Sequence, residues 1–179
     1  QIAFSVLTSL EVLTQHPDVV EELFYLGGRM LNYCPEPFVS DESLLLAWFQ
    51  CAMIGMQLDH RNANRGTYNF LEHVVACASK RPDIPPLQRT LQQVGATLTQ
   101  NLVHALMGVF PAYCIRGGSG SISGILFHLG RIPALPLDQW MVPALSPAPE
   151  RVRGDLITAF STNDRNDFDA RVHRFFVAC

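Results

Sequence analysis

Apolar positions along this chain recur every three or four residues, the spacing that lays them along one side of an α-helix. After His16-Pro17 they fall at Val20, Leu23, Phe24, Gly27, Met30, Leu31 and Cys34. Pro17 suits a first helical position, where a missing N–H costs nothing, and Asp18, Glu21 and Glu22 complement the positive end of the helix dipole. Pro35 and Pro37 are expected to stop that helix. A second helix is expected to start at an N-cap Ser40, with Asp41 and Glu42 in its first turn and a stripe of Leu45, Trp48, Phe49, Ala52, Met53 and Met56. A third opens near Asp59 and runs through Ala63, Thr67, Phe70, Leu71, Val74, Val75 and Ala78 to Arg81-Pro82. A fourth follows Pro85-Pro86 and carries Leu87, Leu91, Val94, Leu98, Leu102, Leu106 and Val109. Shorter helices are expected over 122–130, 138–145, 150–160 and 164–177. Sustained two-residue alternation is missing, so the pattern predicts an all-α protein.

The helices are also ordered. The opening at His16-Pro17-Asp18 is followed, 43 residues on, by another at Asp59-His60-Arg61. Two-helix repeats of about 40–47 residues are the signature of HEAT and armadillo solenoids, in which short connections make successive helices antiparallel. The expected organisation is an α-solenoid of helix pairs over roughly 17–57, 59–110, 117–145 and 149–179, with 1–15 as the tail of a preceding repeat. A closed helical bundle is the alternative that periodicity alone leaves open. The chain begins and ends in mid-pattern, from Ile2-Ala3-Phe4 to Phe175-Phe176-Val177-Ala178-Cys179, which is expected of a piece of a longer protein.

Composition narrows the function. Thirteen basic and 16 acidic residues leave a formal charge of −3, no footprint for nucleic acid or a membrane surface. Charged residues make up 16% and hydrophobic ones 48%, so much of the surface must meet other protein. No charge stands between Arg89 and Arg116, a stretch expected to be a helix buried on both sides by its neighbours. Cys34, Cys51, Cys77, Cys114 and Cys179 are scattered and odd in number, and are expected to be reduced core residues of an intracellular protein. Residues 1–90 hold ten acids against six bases, and residues 91–179 six against seven. An acidic first half suits an arginine-rich partner, and also serves solubility.

Chemistry is sparse. Gly118, Gly120 and Gly124, after Arg116, miss the dinucleotide fingerprint by one residue and lack a Gly-Lys-Ser/Thr sequel, so this segment reads as an inter-helix loop. His16, His60, His73, His104, His128 and His173 form no zinc pattern, and Glu72-His73 lacks the second histidine of a zincin helix. A helical enzyme using Cys114 or a histidine would need a convergence that spacing does not show. Trp48, Phe49, Phe70, Trp140, Phe175 and Phe176 lie on apolar stripes and are expected in the core. The arginines at 61, 65, 151, 153, 165, 171 and 174 alternate with acids, as on a solvated face. No catalytic residue, metal site or cofactor is expected.

Two segments carry a family resemblance. His16-Pro17-Asp18-Val19-Val20-Glu21-Glu22-Leu23-Phe24, with Arg29 and Pro35 following, resembles the late repeats of the transportin-SR branch of importin-β-type nuclear import receptors. The run Leu58-Asp59-His60-Arg61-Asn62-Ala63-Asn64, with Phe70-Leu71, is similar to the next repeat of that family. Weaker likeness continues through Leu102-Val103, Phe110-Pro111-Ala112-Tyr113, Trp140, Asp167-Phe168 and Arg174-Phe175. The resemblance implies a HEAT-repeat segment near the C-terminus of a long receptor that shuttles between cytoplasm and nucleus. It implies serine/arginine-rich (RS-domain) splicing factors as cargo and release by Ran-GTP, which is bound by N-terminal repeats outside this chain. It further implies nuclear pore proteins as partners, with no direct nucleic acid and no membrane. A sibling importin-type receptor with bidirectional cargo, or a Ran-independent HEAT-repeat scaffold, are the alternatives. Cargo-facing candidates are Asp59, Arg61 and Asn64 at the best-matching turn and Asp41 and Glu42 at a helix start, where capping is the competing role. The loop Ser79–Pro86 departs from the family in being less acidic than expected, and the Gly/Ser loop in being longer.

Overall fold

A computed structural model describes residues 4, 7–111, 113 and 120–179. It is all-helical and consistent with a HEAT-like α-solenoid. Ten helices occupy the described residues: α1 Leu10–Gln15, α2 Pro17–Tyr33, α3 Pro35–Val39, α4 Glu42–Gly55, α5 Arg61–Lys80, α6 Pro85–Leu106, α7 Ser121–Leu129, α8 Leu137–Ala144, α9 Glu150–Ala159 and α10 Arg165–Ala178.

The helices stack in two rows. In one row α2 packs most extensively on α5, and α5 on α7. In the other, α1 lies against α4, α4 against α6, and α6 against α8. Successive members of the first row run parallel. Gly66 sits beside the backbone of Glu21, the Phe24 ring lies 5.5 Å from Phe70, and Gly28 faces His73, so position rises together along α2 and α5. From α5 to α7 the order is Asn69 with Ser121, Glu72 with Gly124, and Ser79 with His128. The last step differs: Ser123 meets Asp169, Phe127 meets Phe168, and Arg131 reaches the Thr162 carbonyl, so α10 crosses α7 antiparallel. The α9–α10 hairpin closes that end.

The rows are joined by an apolar core in which Phe24, Phe38, Trp48 and Phe70 meet ring to ring. Gly27 makes room for it, since a Cβ there would stand 2.8 Å from Trp48 and 2.9 Å from Phe70. Gly95 does the same for Trp140, which lies where a Cβ would go and so seats α8 on α6. Trp48, Phe49, Phe70 and Phe175 are buried, as expected from their stripes, while Trp140 and Phe176 are half-buried.

Several boundaries differ from the sequence reading. Pro35 does not end helical structure but opens the short α3, because proline is tolerated in a first turn. The N-cap of α4 is Asp41, not Ser40, which closes α3. The third long helix is capped by His60, whose Nδ1 accepts from the Ala63 amide at 3.4 Å. The fourth stops at Leu106 because Gly108 adopts φ +75°, and the Val109 N–H then bonds the His104 carbonyl at 2.9 Å. Val109 is consequently exposed. Nor is α6 buried on both sides. Gln92, Gln93, Ala96, Thr97 and Gln100 face solvent, so its missing charge reflects a neutral exposed surface as well as a buried one.

The cysteines divide. Cys51 is buried and Cys77 half-buried, but Cys34 and Cys179 are exposed, so core packing does not account for them. Cys114 and residues 116–119 of the Gly/Ser segment lie outside the described residues; Gly120 immediately precedes α7.

Candidate interaction surface

The sequence candidates separate into two groups on opposite edges of the stack, at the two ends of α4. At 1.5 Å per residue, that 14-residue helix holds them about 20 Å apart.

At one edge, Asp41 caps α4. Its Oδ1 accepts from the Ser43 hydroxyl at 2.7 Å and from the backbone N–H groups of Ser43 and Leu44 at 3.0 and 3.1 Å. Those donors, the Ser43 hydroxyl foremost, hold its carboxyl below the usual range, so it is ionised and exposed. Glu42 pairs with Arg89 of α6 at 2.9 Å, tying successive helices of the second row. Arg81 and Asp83 form a neighbouring pair at 3.0 Å in the α5–α6 connection. These are solvent-exposed ion pairs, weakened by water, so they are available to exchange partners.

At the other edge, the opening of α5 is a hydrogen-bonded node. Asn64 is fully buried, and its Nδ2 donates to the carbonyls of Met56 at 3.0 Å, Leu58 at 3.4 Å and Pro111 at 2.9 Å. Its Oδ1 accepts from the Tyr113 amide at 3.4 Å. The Tyr113 hydroxyl donates to the Asp59 carboxylate. This node fastens the loop after α6 to the loop before α5, the connections of two successive pairs. Asn64 therefore organises the edge from within, and burial keeps it from facing a partner. Asp59 and Arg61 stand exposed beside it.

A third polar cluster was not legible in the sequence. Arg165 at the start of α10 pairs with Asp169 at 2.8 Å and with Glu72 of α5 at 3.6 Å, and Asp169 also accepts from the Ser123 hydroxyl at 2.6 Å. Arg131 lies over the Phe127 ring at 3.2 Å and donates to the Phe127 and Thr162 carbonyls. Burial, then the cations Arg165, Lys80 and Arg131, push the His128 imidazole down to about 4, so it is neutral near pH 7. The i,i+4 spacing of Arg165 and Asp169 was visible; their meeting with Glu72 depends on stacking.

An apolar stripe on α2 was equally missed. Val19, Leu23, Leu26, Met30 and Tyr33 alternate at spacings of four and three beside the buried Val20, Phe24, Gly27 and Leu31, with Leu23 and Met30 partly buried against the core. Val19 is 55% exposed, Leu26 50% and Tyr33 82%. The signal was present, since a helix with two apolar stripes has two faces to cover.

None of these clusters has the makings of a reaction centre. Cys51 is pushed up to about 11 by burial, which leaves it a protonated thiol near pH 7. Among the described residues no group of three or more His, Cys, Asp or Glu side chains is placed to hold a metal. No helix of the described residues is long and apolar enough to cross a membrane.

The described residues thus form a stack of paired helices with hydrogen-bonded edges, consistent with a HEAT-like α-solenoid. No family model matches the chain. Over 109 residues it is 29% identical to Transportin MOS14 of Arabidopsis thaliana, an alignment covering 59% of this chain and 11% of that protein. The chain thus spans about a tenth of the relative it matches. This partial similarity supports a transportin-like relative of the importin-β type in general. Such receptors are not an enzyme family.

Proposed function

We propose that this chain is a run of late repeats in a longer karyopherin-β-type import receptor. The observation that carries the reading is a transportin-like sequence in a chain whose helices stack in two rows. The receptor takes RS-domain cargo in the cytoplasm and gives it up to Ran-GTP in the nucleus. A stack joined by small exposed ion pairs and loop nodes bends as a spring. Cargo and Ran-GTP favour different curvatures, so each lowers the affinity for the other through linkage.

Within this run, the exposed carboxylates Asp41, Glu42 and Asp59 are the groups suited to arginine side chains of cargo. Glu42 reaches cargo by exchanging its Arg89 partner. Arg61, beside Asp59, suits a phosphorylated serine in the same kind of segment. Asn64 holds the edge on which Asp59 and Arg61 stand.

The test uses the full-length receptor with a phosphorylated and an unphosphorylated RS-domain protein, each with and without Ran-GTP. Cargo binding abolished by Ran-GTP is the expected result, and a preference for phosphate assigns the transportin-SR branch. Binding indifferent to Ran-GTP leaves a helical scaffold and sinks the import reading.

A further inference from the structure

A groove runs along the seam between α2 and α5. Its floor is formed by the Phe24 and Phe70 rings, whose centres lie 5.5 Å apart. Gly28 and Gly66 bring no side chain to fill it, and a Cβ on Gly28 would stand 3.7 Å from the His73 Nδ1. The space left open is about 170 Å³.

The rim consists of hydrogen-bond donors. Arg29 and Asn32 stand on the α2 side, Asn69 and His73 on the α5 side. Among the described residues the side chains of Arg29, Asn32 and His73 make no hydrogen bond or ion pair. Asn69 is oriented from α7: its Oδ1 accepts from the Ser121 hydroxyl at 2.8 Å, so the amide nitrogen is the end left to donate. No carboxylate lines the groove. Asp18 and Glu22 lie on the other flank of α2, beside the apolar stripe. Glu72 is turned towards Gly124 of α7, with Arg165 at 3.6 Å. Glu21 borders the Gly66 end, where the exposed Arg65 of α5 offsets its charge.

Sign and shape both restrict the ligand. A guanidinium, two amides and an imidazole around an apolar floor suit an oxyanion. The donors stand on both sides of the seam, so the anion must offer oxygens in more than one plane. A carboxylate has two, in a single plane, whereas a phosphomonoester has three in a tetrahedral arrangement. We propose that the α2–α5 groove is a docking site for a phosphorylated serine or threonine in a segment of a partner protein. Arg29 and Asn69 hold the phosphate from opposite sides, and the carbon stem of the phosphorylated residue lies over the Phe24–Phe70 floor. The site is built from α2 and α5, with Ser121 orienting Asn69, and does not rest on the import reading.

The experiment titrates the full-length protein into a short glycine- and alanine-based peptide carrying one phosphoserine, read by broadening of its phosphorus NMR signal. Saturable binding is expected. Arg29→Gln should weaken it about tenfold or more, the loss that removing a charge-assisted hydrogen bond brings. Asn69→Asp keeps the acceptor that Ser121 uses but sets a negative charge where the donor was, and should weaken binding at least as much. Arg174→Gln, at an exposed position of α10, is the control and should leave the affinity unchanged. Equal weakening in all three variants would reveal general charge attraction and overturn the proposal. Unaltered affinity in Arg29→Gln and Asn69→Asp would do the same, as would binding that never saturates. Competition separates the sources of the anion. Inorganic phosphate, and the same peptide with glutamate for phosphoserine, should each displace the probe about tenfold less well than the unlabelled phosphopeptide. Equal displacement by the glutamate peptide would make this a carboxylate site, and equal displacement by phosphate a free-phosphate site; either result overturns the proposal.

Discussion

The two ends of the first row are built oppositely. At the α2 end an apolar stripe faces outward, with Leu26 and Val19 half-exposed or more. At the α10 end the row is turned back on itself. α10 crosses α7 antiparallel, buries Phe168, Val172 and Phe175, and presents Asn166, Ala170, His173 and Arg174 outward, with Val177 exposed in its last turn. Its flank carries the i,i+4 pairs Arg165–Asp169 and Arg171–Asp167. A stack of helix pairs satisfies each member through its neighbours, so an end must either meet another pair or show a polar face. One end of this stack leaves an apolar stripe open, and the other is folded back on itself.

The largest expected effect comes from undoing the polar end. Phe168 is fully buried between Phe127 and Phe160. Phe168→Ala should cost about 3–5 kcal/mol of local stability, read from native-state hydrogen exchange of α7 and α10, and should leave α7 with an open apolar face like that of α2. Unchanged protection would show that α10 is not the closing element.

Between the two ends, the fastening of successive pairs is tested at Asn64. Asn64→Ala strips a buried donor from three carbonyls and should cost about 2 kcal/mol, with faster exchange at both α5 and the end of α6. A loss confined to α5 would mean that the node does not join the pairs.

At the α2 end, two adjacent glycines should respond with opposite signs. Gly27→Ala would press a methyl group into Trp48 and Phe70 and should destabilise by about 1–3 kcal/mol. Gly28→Ala meets only the His73 ring at 3.7 Å and should gain up to about 1 kcal/mol from helix propensity. Equal thermal shifts for both would contradict the close approach of α2 to the core.

The polar end should also weaken in acid. The His128 imidazole takes up a proton near its ordinary 6.5 when unfolded but only near 4 when folded, so between these values the unfolded chain holds more protons. Its contribution is complete above about pH 6.5 and lost as the pH falls towards 4. Urea midpoints at pH 5 and pH 7 should differ less in His128→Gln than in the parent. The smallest effect is a control for the whole comparison. Ile157 on α9 is exposed, and Ile157→Asp should change stability by no more than about 0.5 kcal/mol, far less than Phe168→Ala at the same end.

Much of this was legible in the residues, and the reasons are local. Three-four spacing of Val20, Phe24, Gly27 and Leu31 is set by helix geometry, so the face turned to the core could be read without knowing what lay opposite. Pro17 and Pro85 act within one turn of where they stand, and they mark helix starts whatever the fold, while the cap read at Ser40 falls one residue on, at Asp41. Boundaries were misplaced where two local rules competed, as at Pro35, which can end one helix or begin the next. The candidate surface was less legible. Asp59 and Asn64 look alike in sequence as polar residues near a helix opening. One is exposed, and the other is sealed under a loop that arrives 47 residues later at Pro111.

What the sequence determined by itself is the helices and their polarity, because these depend on periodicity and on contacts within a turn. What only the tertiary structure decided is the sorting of helices into two rows, the reversal of α10, and the partners of Asp59, Asn64, Glu72 and Arg165. Those depend on which faces meet across 40 or more residues of chain, and an apolar stripe attracts any other apolar stripe. The choice among them is made by fit, as when Gly95 admits Trp140, and by the hydrogen bonds that close only in one register.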